Sequence, residues 1–327
     1  MRTRSWCIGL SAICLAYACG GGHKGGGADG GGGAQQGSGG TAASGGAPSE
    51  VPTEPGRHDM TIEADGVERH FILYIPASYD GSVAVPLVFF FHGAAEDAEN
   101  AYDVRSDLRA AAEANNYVYV IPNGQSEANN DGGPAYWNAG WCCIDPTAPS
   151  DVEFFRQMVS TLRAGLNIDP NRIHPTGFSN GCSLTHRIAA DAPDLVASAA
   201  CSSGAVGGQQ AEWPEYEIEP TLPVPFADAH GTVDVVIPYD GSPSQVFDLT
   251  PYSFDTTISL WVSNNGCDST PTEQTEPAGQ FTAIVDSYGG CTNGADVVGL
   301  TVQGMGHQWP AFATDQIVQF LLTHPKN

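Results

Sequence analysis

The stretch Arg172-Ile173-His174-Pro175-Thr176-Gly177-Phe178-Ser179-Asn180-Gly181 decides how this chain is read. Residues 172–176 read as a short strand, Gly177 to Gly181 is a Gly-x-Ser-x-Gly pentapeptide, and residues 183–190 read as the helix that follows. A sharp strand-to-helix turn brings neighbouring backbone too close for side chains at positions 177 and 181, which is why glycine suits both. Ser179 would then project from the top of a sheet, where a nucleophile belongs. The pentapeptide alone is weak, because a chain with 40 Gly should contain roughly 0.3 such matches by accident. Its surroundings carry the argument.

Upstream, residues 59–63 and 67–75 alternate apolar and polar about Asp65-Gly66, a hairpin pattern. Leu87-Val88-Phe89-Phe90-Phe91 is a continuous apolar run, as a parallel strand buried on both faces requires. The spacing predicts a helix over 100–115 and a strand over 117–121, so strands alternate with helices in the manner of an α/β domain. A loop over 122–150 carries Trp137, Trp141, Cys142 and Cys143. Ser150-Asp151-Val152-Glu153 is a capping box that opens a helix to about position 165.

Downstream, strands are predicted over 197–202, 224–230, 281–288 and 297–302, with helices over 258–264 and 311–324. A serine hydroxyl is a weak nucleophile at neutral pH and needs a base in contact and a third group to orient that base. The chain order serine, acid, histidine places the acid after a later strand and the base near the end. Asp234 follows the strand over 224–230, and His307 follows the strand over 297–302. Asp228 and Asp240 are the rival acids, one inside a strand and the other beyond a proline-marked turn. The oxyanion of acyl transfer needs preorganised N–H donors. The Asn180 backbone N–H is one candidate, and a donor near Gly93 or Ala94 is the other. His92 reads as a structural side chain fixing that loop.

A resemblance now becomes specific. Phe91-His92-Gly93, Tyr136-Trp137-Asn138-Ala139-Gly140 with Cys142-Cys143, Gly177 to Gly181, His230-Gly231-Thr232-Val233-Asp234 with Pro238-Tyr239-Asp240-Gly241, and Gly306-His307-Gln308-Trp309-Pro310 together resemble secreted feruloyl esterases and the related polyhydroxybutyrate depolymerase-like esterases. The likeness runs from about Met60 to the end of the chain. It implies an α/β-hydrolase fold, a mostly parallel central sheet with helices on both faces, and a cofactor-independent Ser-His-Asp mechanism. The implied substrates are esters such as feruloylated or acetylated plant polysaccharide, or short-chain polyesters. Cys182 departs from the small residue expected after the motif.

The remaining features set the context. Twelve Lys and Arg against 37 Asp and Glu give a net charge of -25, which repels phosphate backbones and excludes nucleic acid as a partner. Residues 1–18 read as an export signal, with Arg2 and Arg4 before an apolar run too short to span a bilayer. Ala16-Tyr17-Ala18-Cys19 resembles a bacterial lipoprotein cleavage site, so Cys19 would carry the lipid that is the chain's contact with a membrane. Residues 19–56 form a Gly-rich linker of about 30–35 Å end to end, and 57–327 the catalytic domain.

Six cysteines remain in that domain, Cys142, Cys143, Cys182, Cys201, Cys267 and Cys291, an even number that favours disulfides in an oxidising compartment. Cys267 with Cys291 is the preferred pair, and Cys142 or Cys143 is expected to bond Cys182. Their spacings do not resemble zinc ligand pairs, and no metal is expected. Trp137, Trp141 and Trp309 are candidates for an aromatic acyl pocket. A polyester depolymerase or acetyl xylan esterase differs in substrate only. A non-catalytic surface-binding lipoprotein is the reading from another class.

Overall fold

Alternation builds the first two strands of the computed structural model, which describes residues 50–126, 134–211 and 213–326. β1 (Gly56–Ala64) and β2 (Val67–Ile75) pair antiparallel from Gly56↔Ile75 to Ala64↔Val67. Asp65 (φ 52) and Gly66 (φ 74) hold the two positive φ angles that a type I′ turn requires. β3 (Val85–Phe91) is buried throughout, with Leu87, Phe89 and Phe91 in one core cluster and Val88 and Phe90 in the other. Each large apolar side chain so buried contributes about 1.5–3 kcal/mol.

α1 (Ala98–Val104) and α2 (Ser106–Asn115) occupy the span predicted as one helix over 100–115. The break is Arg105 (φ -96, ψ 43), whose guanidinium lies 5.7 Å from the centre of the Trp309 ring. Local periodicity carries no trace of a contact so distant in sequence. β4 (Val118–Pro122) pairs parallel with β3 and antiparallel with β2. α3 (Asp151–Gly165) starts where the capping pattern predicts, with Ser150 Oγ accepting from Glu153 N at 3.2 Å. The reciprocal half of the box goes elsewhere: Ser150 N–H donates to Asp65 Oδ2 at 2.9 Å, so the hairpin turn docks on this helix end.

β5 (Ile168–Phe178) leads into the pentapeptide and α4 (Asn180–Asp191) leaves it. β6 (Ala199–Ser202), β7 (Gly207–Gln210), β8 (Tyr216–Glu217), β9 (Phe226–Gly231) and β10 (Leu249–Pro251) follow. Next come α5 (Phe254–Asn264), β11 (Thr272–Ala278), β12 (Phe281–Tyr288) and β13 (Val297–Gln303). A 3₁₀ turn at Ala311–Ala313 and α6 (Thr314–Thr323) close the chain, where one helix over 311–324 is expected.

The large sheet has the order β1-β2-β4-β3-β5-β6-β9-β13-β12-β11, and β10-β7-β8 form a small separate sheet. The strands from β4 to β13 in that order are parallel, and antiparallel pairs finish both edges. α3, α4 and α5 pack on one face, and α1, α2 and α6 on the other. The expected mostly parallel sheet with helices on both faces is therefore what the residues build.

The described residues begin at Glu50, ahead of the boundary at 57. Val51 packs on the core beside Gly165, and His58 Nε2 bonds Glu54 O at 2.8 Å, so one apolar side chain docks the end of the linker. The export signal over 1–18, Cys19 and the linker through 49 lie outside the described residues. No helix among the described residues is long and apolar enough to cross a membrane.

The Cys267–Cys291 disulfide forms as expected. The expected bond from Cys142 or Cys143 to Cys182 does not. Cys142 bonds Cys143, and Cys182 bonds Cys201. The first turn of α4 carries Cys182 down against β6, which brings its Cα within 5.1 Å of Cys201 Cα and leaves no sulfur to reach the loop.

Candidate active site

The turn between β5 and α4 forces Ser179 to φ 57 and ψ -121, a conformation that costs a non-glycine residue about 1–3 kcal/mol. Its neighbours hold it there. Ser179 N–H donates to Ser202 O at 2.9 Å, and Ser179 O accepts from Cys182 N at 2.9 Å and Ser183 N at 3.0 Å. A Cβ at Gly177 would run into Gly181 O, and one at Gly181 into Phe91 O, so both glycines are required by close backbone approach. The N-terminus of α4 is thereby seated on the end of β3.

Two later loops converge on Ser179. Val233 N–H donates to Met305 O at 3.1 Å, stitching the loop after β9 to the loop after β13. His307 Nε2 lies 2.8 Å from Ser179 Oγ, and His307 Nδ1 lies 2.7 Å from Asp234 Oδ2. A carboxylate facing Nδ1 keeps the ring proton there, which leaves the Nε2 lone pair aimed at the serine hydroxyl. Asp234 Oδ1 accepts from Val236 N at 2.8 Å and Ile237 N at 2.9 Å. Burial works against ionisation of Asp234, but the hydrogen bonds from His230 and His307 outweigh it and hold the carboxyl well below the usual aspartate range. Ser179 is 7% exposed and the His307 side chain 15%, so both groups are largely shielded from solvent. The rival acids lie apart: Asp228 is buried in β9 against His186, and Asp240 caps its own turn through Ser242 N–H.

The wall opposite is built from the residues around Asn180. Asn180 Oδ1 accepts from Trp137 N at 2.7 Å and Asn180 Nδ2 donates to Trp137 O at 3.1 Å, which fixes the Trp-bearing loop to the elbow. His92 accepts from Gly124 N–H at Nε2 and donates from Nδ1 to Gly93 O, and burial pushes its pKa down to about 4, so it is a neutral brace. Gly93 N–H is taken by Glu96 Oε2 at 3.0 Å. The backbone N–H groups of Asn180 and Ala94 meet no acceptor among the described residues.

Two buried groups that sequence reading assigns no such role hold the same loop. Asp151 Oδ1 accepts from Arg69 at 2.7 Å, and its Oδ2 accepts from Asn138 N at 2.6 Å and Gln125 Nε2 at 3.0 Å. In the sequence Asp151 registers only as part of a capping box, and Arg69 as one position of an alternating strand. His230 is a further buried neighbour of Asp234 within the segment that supplies the acid.

The aromatic pocket expected from Trp137, Trp141 and Trp309 is not formed, since none of the three is more than 6% exposed. Trp137 Nε1–H donates to His92 O and Trp141 Nε1–H to Ala205 O. Trp309 packs edge-on to Phe90, with its N–H on Asp107 and Thr314. Each indole spends its polar edge and its apolar face inside the fold.

One cluster has the elements of a metal site: Cys182, His186, Cys201 and Asp228 place ligand atoms within 4.8 Å of one another. Its chemistry is closed to a cation. The two sulfurs are joined, and Trp261 Nε1–H donates to His186 Nδ1 at 2.9 Å, which obliges Nε2 to carry the ring proton toward Asp228. A ligating Nε2 would put a proton on Nδ1, facing another N–H.

Comparison with known proteins adds the chain's relatives. A phospholipase/carboxylesterase family model matches residues 80–245. NocK of Nocardia uniformis subsp. tsuyamanensis, which is named as an esterase, is 30% identical over 240 residues, covering 69% of this chain and 65% of that protein. Feruloyl esterase B of Piromyces equi is 28% identical over 242 residues, 73% of this chain and 42% of its own length. The match thus spans less than two thirds of each of these relatives. Among solved structures, an acetyl xylan esterase from Aspergillus awamori superposes with a TM-score of 0.56 at 17% identity, over 81% of this chain and 98% of that one. That likeness concerns the fold.

Proposed function

The chain belongs to the phospholipase/carboxylesterase family, and from that premise we propose that it is an exported serine carboxylesterase with Ser179, His307 and Asp234 as its triad. The observation that carries the reading is the continuous hydrogen-bond path from Ser179 Oγ through His307 to Asp234, at 2.8 and 2.7 Å. His307 Nε2 takes the hydroxyl proton as Ser179 Oγ attacks the ester carbonyl, and Asp234 stabilises the imidazolium. The oxyanion accepts from the N–H groups of Asn180 and Ala94. Gly93 is the poorer loop donor because Glu96 already occupies its N–H. His307 then protonates the leaving alcohol, and water repeats the sequence on the acyl-enzyme. The N-terminus of α4 adds its positive dipole end where the negative charge develops.

The substrates of this reading are acyl esters of plant cell-wall polysaccharide, with feruloyl esters first, in keeping with the relative named feruloyl esterase B. Residues 1–18 direct export, Cys19 bears a lipid, and the glycine-rich linker holds the domain away from the membrane. A panel of methyl ferulate, acetylated xylan, hydroxybutyrate oligomers and an aryl acetate tests both layers. Methyl ferulate should give the highest kcat/KM, and Ser179→Ala should lose activity on all four. Activity that survives in that variant refutes the mechanism, and preference for the oligomers transfers the substrate to the polyester class.

A further inference from the structure

His230 lies near the end of β9 beside Asp234, paired in register with Thr301 of β13 and edge-on to the rings of Tyr239 and Phe254. It is buried, and its Nε2 faces two acceptors, Ile237 O at 2.8 Å and Asp234 Oδ2 at 3.4 Å. Two acceptors require a proton on Nε2. Nδ1 is buried without a hydrogen-bond partner among the described residues. Leaving a buried nitrogen unsatisfied is unfavourable, and a phenyl ring would fill the same aromatic surroundings without that penalty. Shape therefore does not account for a histidine at 230, whereas the Nε2–H does.

We propose that His230 is a positioning residue for the esterase reaction: its Nε2–H, shared between Ile237 O and Asp234 Oδ2, holds the carboxylate in line with His307 and draws charge from it. This rests on the reading of Ser179, His307 and Asp234 as the triad. With Val236 and Ile237 N–H on Oδ1 and both histidines on Oδ2, the carboxylate cannot swing away from His307. A carboxylate that already accepts a second N–H stabilises positive charge on the His307 ring less than one that faces His307 alone.

The titratable groups around the ring are Asp228 on its own strand, Asp234 and Tyr239 on the following loop, and His307 beyond Asp234 on the loop after β13. α5 presents the uncharged Phe254, while Asp255 and Asp286 act on Tyr239. Burial opposes a charge on His230, and Asp234 and Asp228 more than offset it, raising its pKa above the ordinary histidine value. Nε2 carries its proton whether the ring is neutral or charged. Removing the ring therefore takes an N–H away from Asp234 Oδ2 in both cases.

The test is the pH profile of kcat/KM on an aryl acetate for the whole chain with His230→Phe and His230→Gln. In His230→Phe the acid limb should move up by about one pH unit, kcat at neutral pH should fall about 10-fold, and KM should hold. His230→Gln, whose amide N–H reaches toward Oδ2, should recover most of the shift. A His230→Phe variant that melts like the wild type and keeps its acid limb overturns the proposal, as does a Gln variant no better than Phe. If His230→Phe does not fold, ¹H–¹⁵N spectra of the wild-type histidines decide. A proton on His230 Nε2 is required, and one on Nδ1 with Nε2 bare overturns it. A fluorophosphonate separates the two readings: labelling of Ser179 with an unmoved limb removes the role of His230 alone, whereas no labelling of Ser179 removes the triad and this role together.

Discussion

Asp234→Asn changes one oxygen to an amide nitrogen and should lower kcat by about 10⁴-fold, about 5.5 kcal/mol of barrier. Asp234 Oδ1 accepts the N–H groups of Val236 and Ile237 at 2.8 and 2.9 Å. An amide nitrogen there would leave the buried Ile237 N–H unsatisfied at about 1–3 kcal/mol and the half-buried Val236 N–H without its acceptor, so the asparagine oxygen keeps that position. Its NH₂ then stands where Oδ2 was, 2.7 Å from His307 Nδ1. His307 can accept that hydrogen bond only by moving its proton to Nε2, and an Nε2–H pointing at Ser179 cannot take the serine proton. KM should stay within about twofold, because the lost interaction forms in the transition state. The assay is steady-state hydrolysis of an aryl acetate, with a thermal melt to establish that the variant folds. A folded variant within 10-fold of wild-type kcat would refute the assignment of Asp234 as the group that orients His307.

Trp309→Ala should act on stability and leave substrate preference alone, losing about 3–5 kcal/mol with the KM ratio of aryl to acetyl esters unchanged; a selective rise for aryl esters would restore the pocket. Gly181→Ala places a methyl against Phe91 O, backbone that cannot retreat, so it should cost about 3 kcal/mol or more and be measurable by chemical denaturation. Removing both Cys267 and Cys291, 24 residues apart, should cost about 3 kcal/mol while kcat at 25 °C is retained. Burial pushes His92 down to about 4 and His174 down to about 3. The unfolded chain binds protons there first as pH falls. The stabilisation is complete above the unfolded histidine pKa and diminishes below it, by about 3 kcal/mol between pH 6.5 and 5 for the two together. A flat unfolding free energy over that interval would contradict the neutral state of both rings.

Local features of this protein are readable from its residues, and tertiary ones much less so. The hairpin at Asp65-Gly66, the doubly buried run over 87–91 and the strand-turn-helix at Ser179 each depend on neighbours a few positions away, so periodicity and turn chemistry locate them. Asp234 and His307 are reached by chain order, since each follows a strand of the parallel sheet. The pairing of Cys182 with Cys201 depends on how α4 lies against β6, and no cysteine spacing encodes it. The tryptophans mislead for a related reason: an indole suits a pocket wall and a core equally, and only the acceptors at Ala205, His92 and Asp107 separate the two. Arg105 breaks its helix at a contact with Trp309, and Val51 ends the linker early by finding the core beside Gly165. Both outcomes depend on partners far along the chain.

The central claim is that Ser179 is the nucleophile, and reaction of the folded chain with a fluorophosphonate followed by peptide mapping tests it most directly. One adduct per chain, on Ser179, with labelling and ester hydrolysis both lost in Ser179→Ala and labelling slowed in Asp234→Asn, is the predicted result. An adduct on another serine, or a Ser179→Ala variant that still turns over ester, would contradict it.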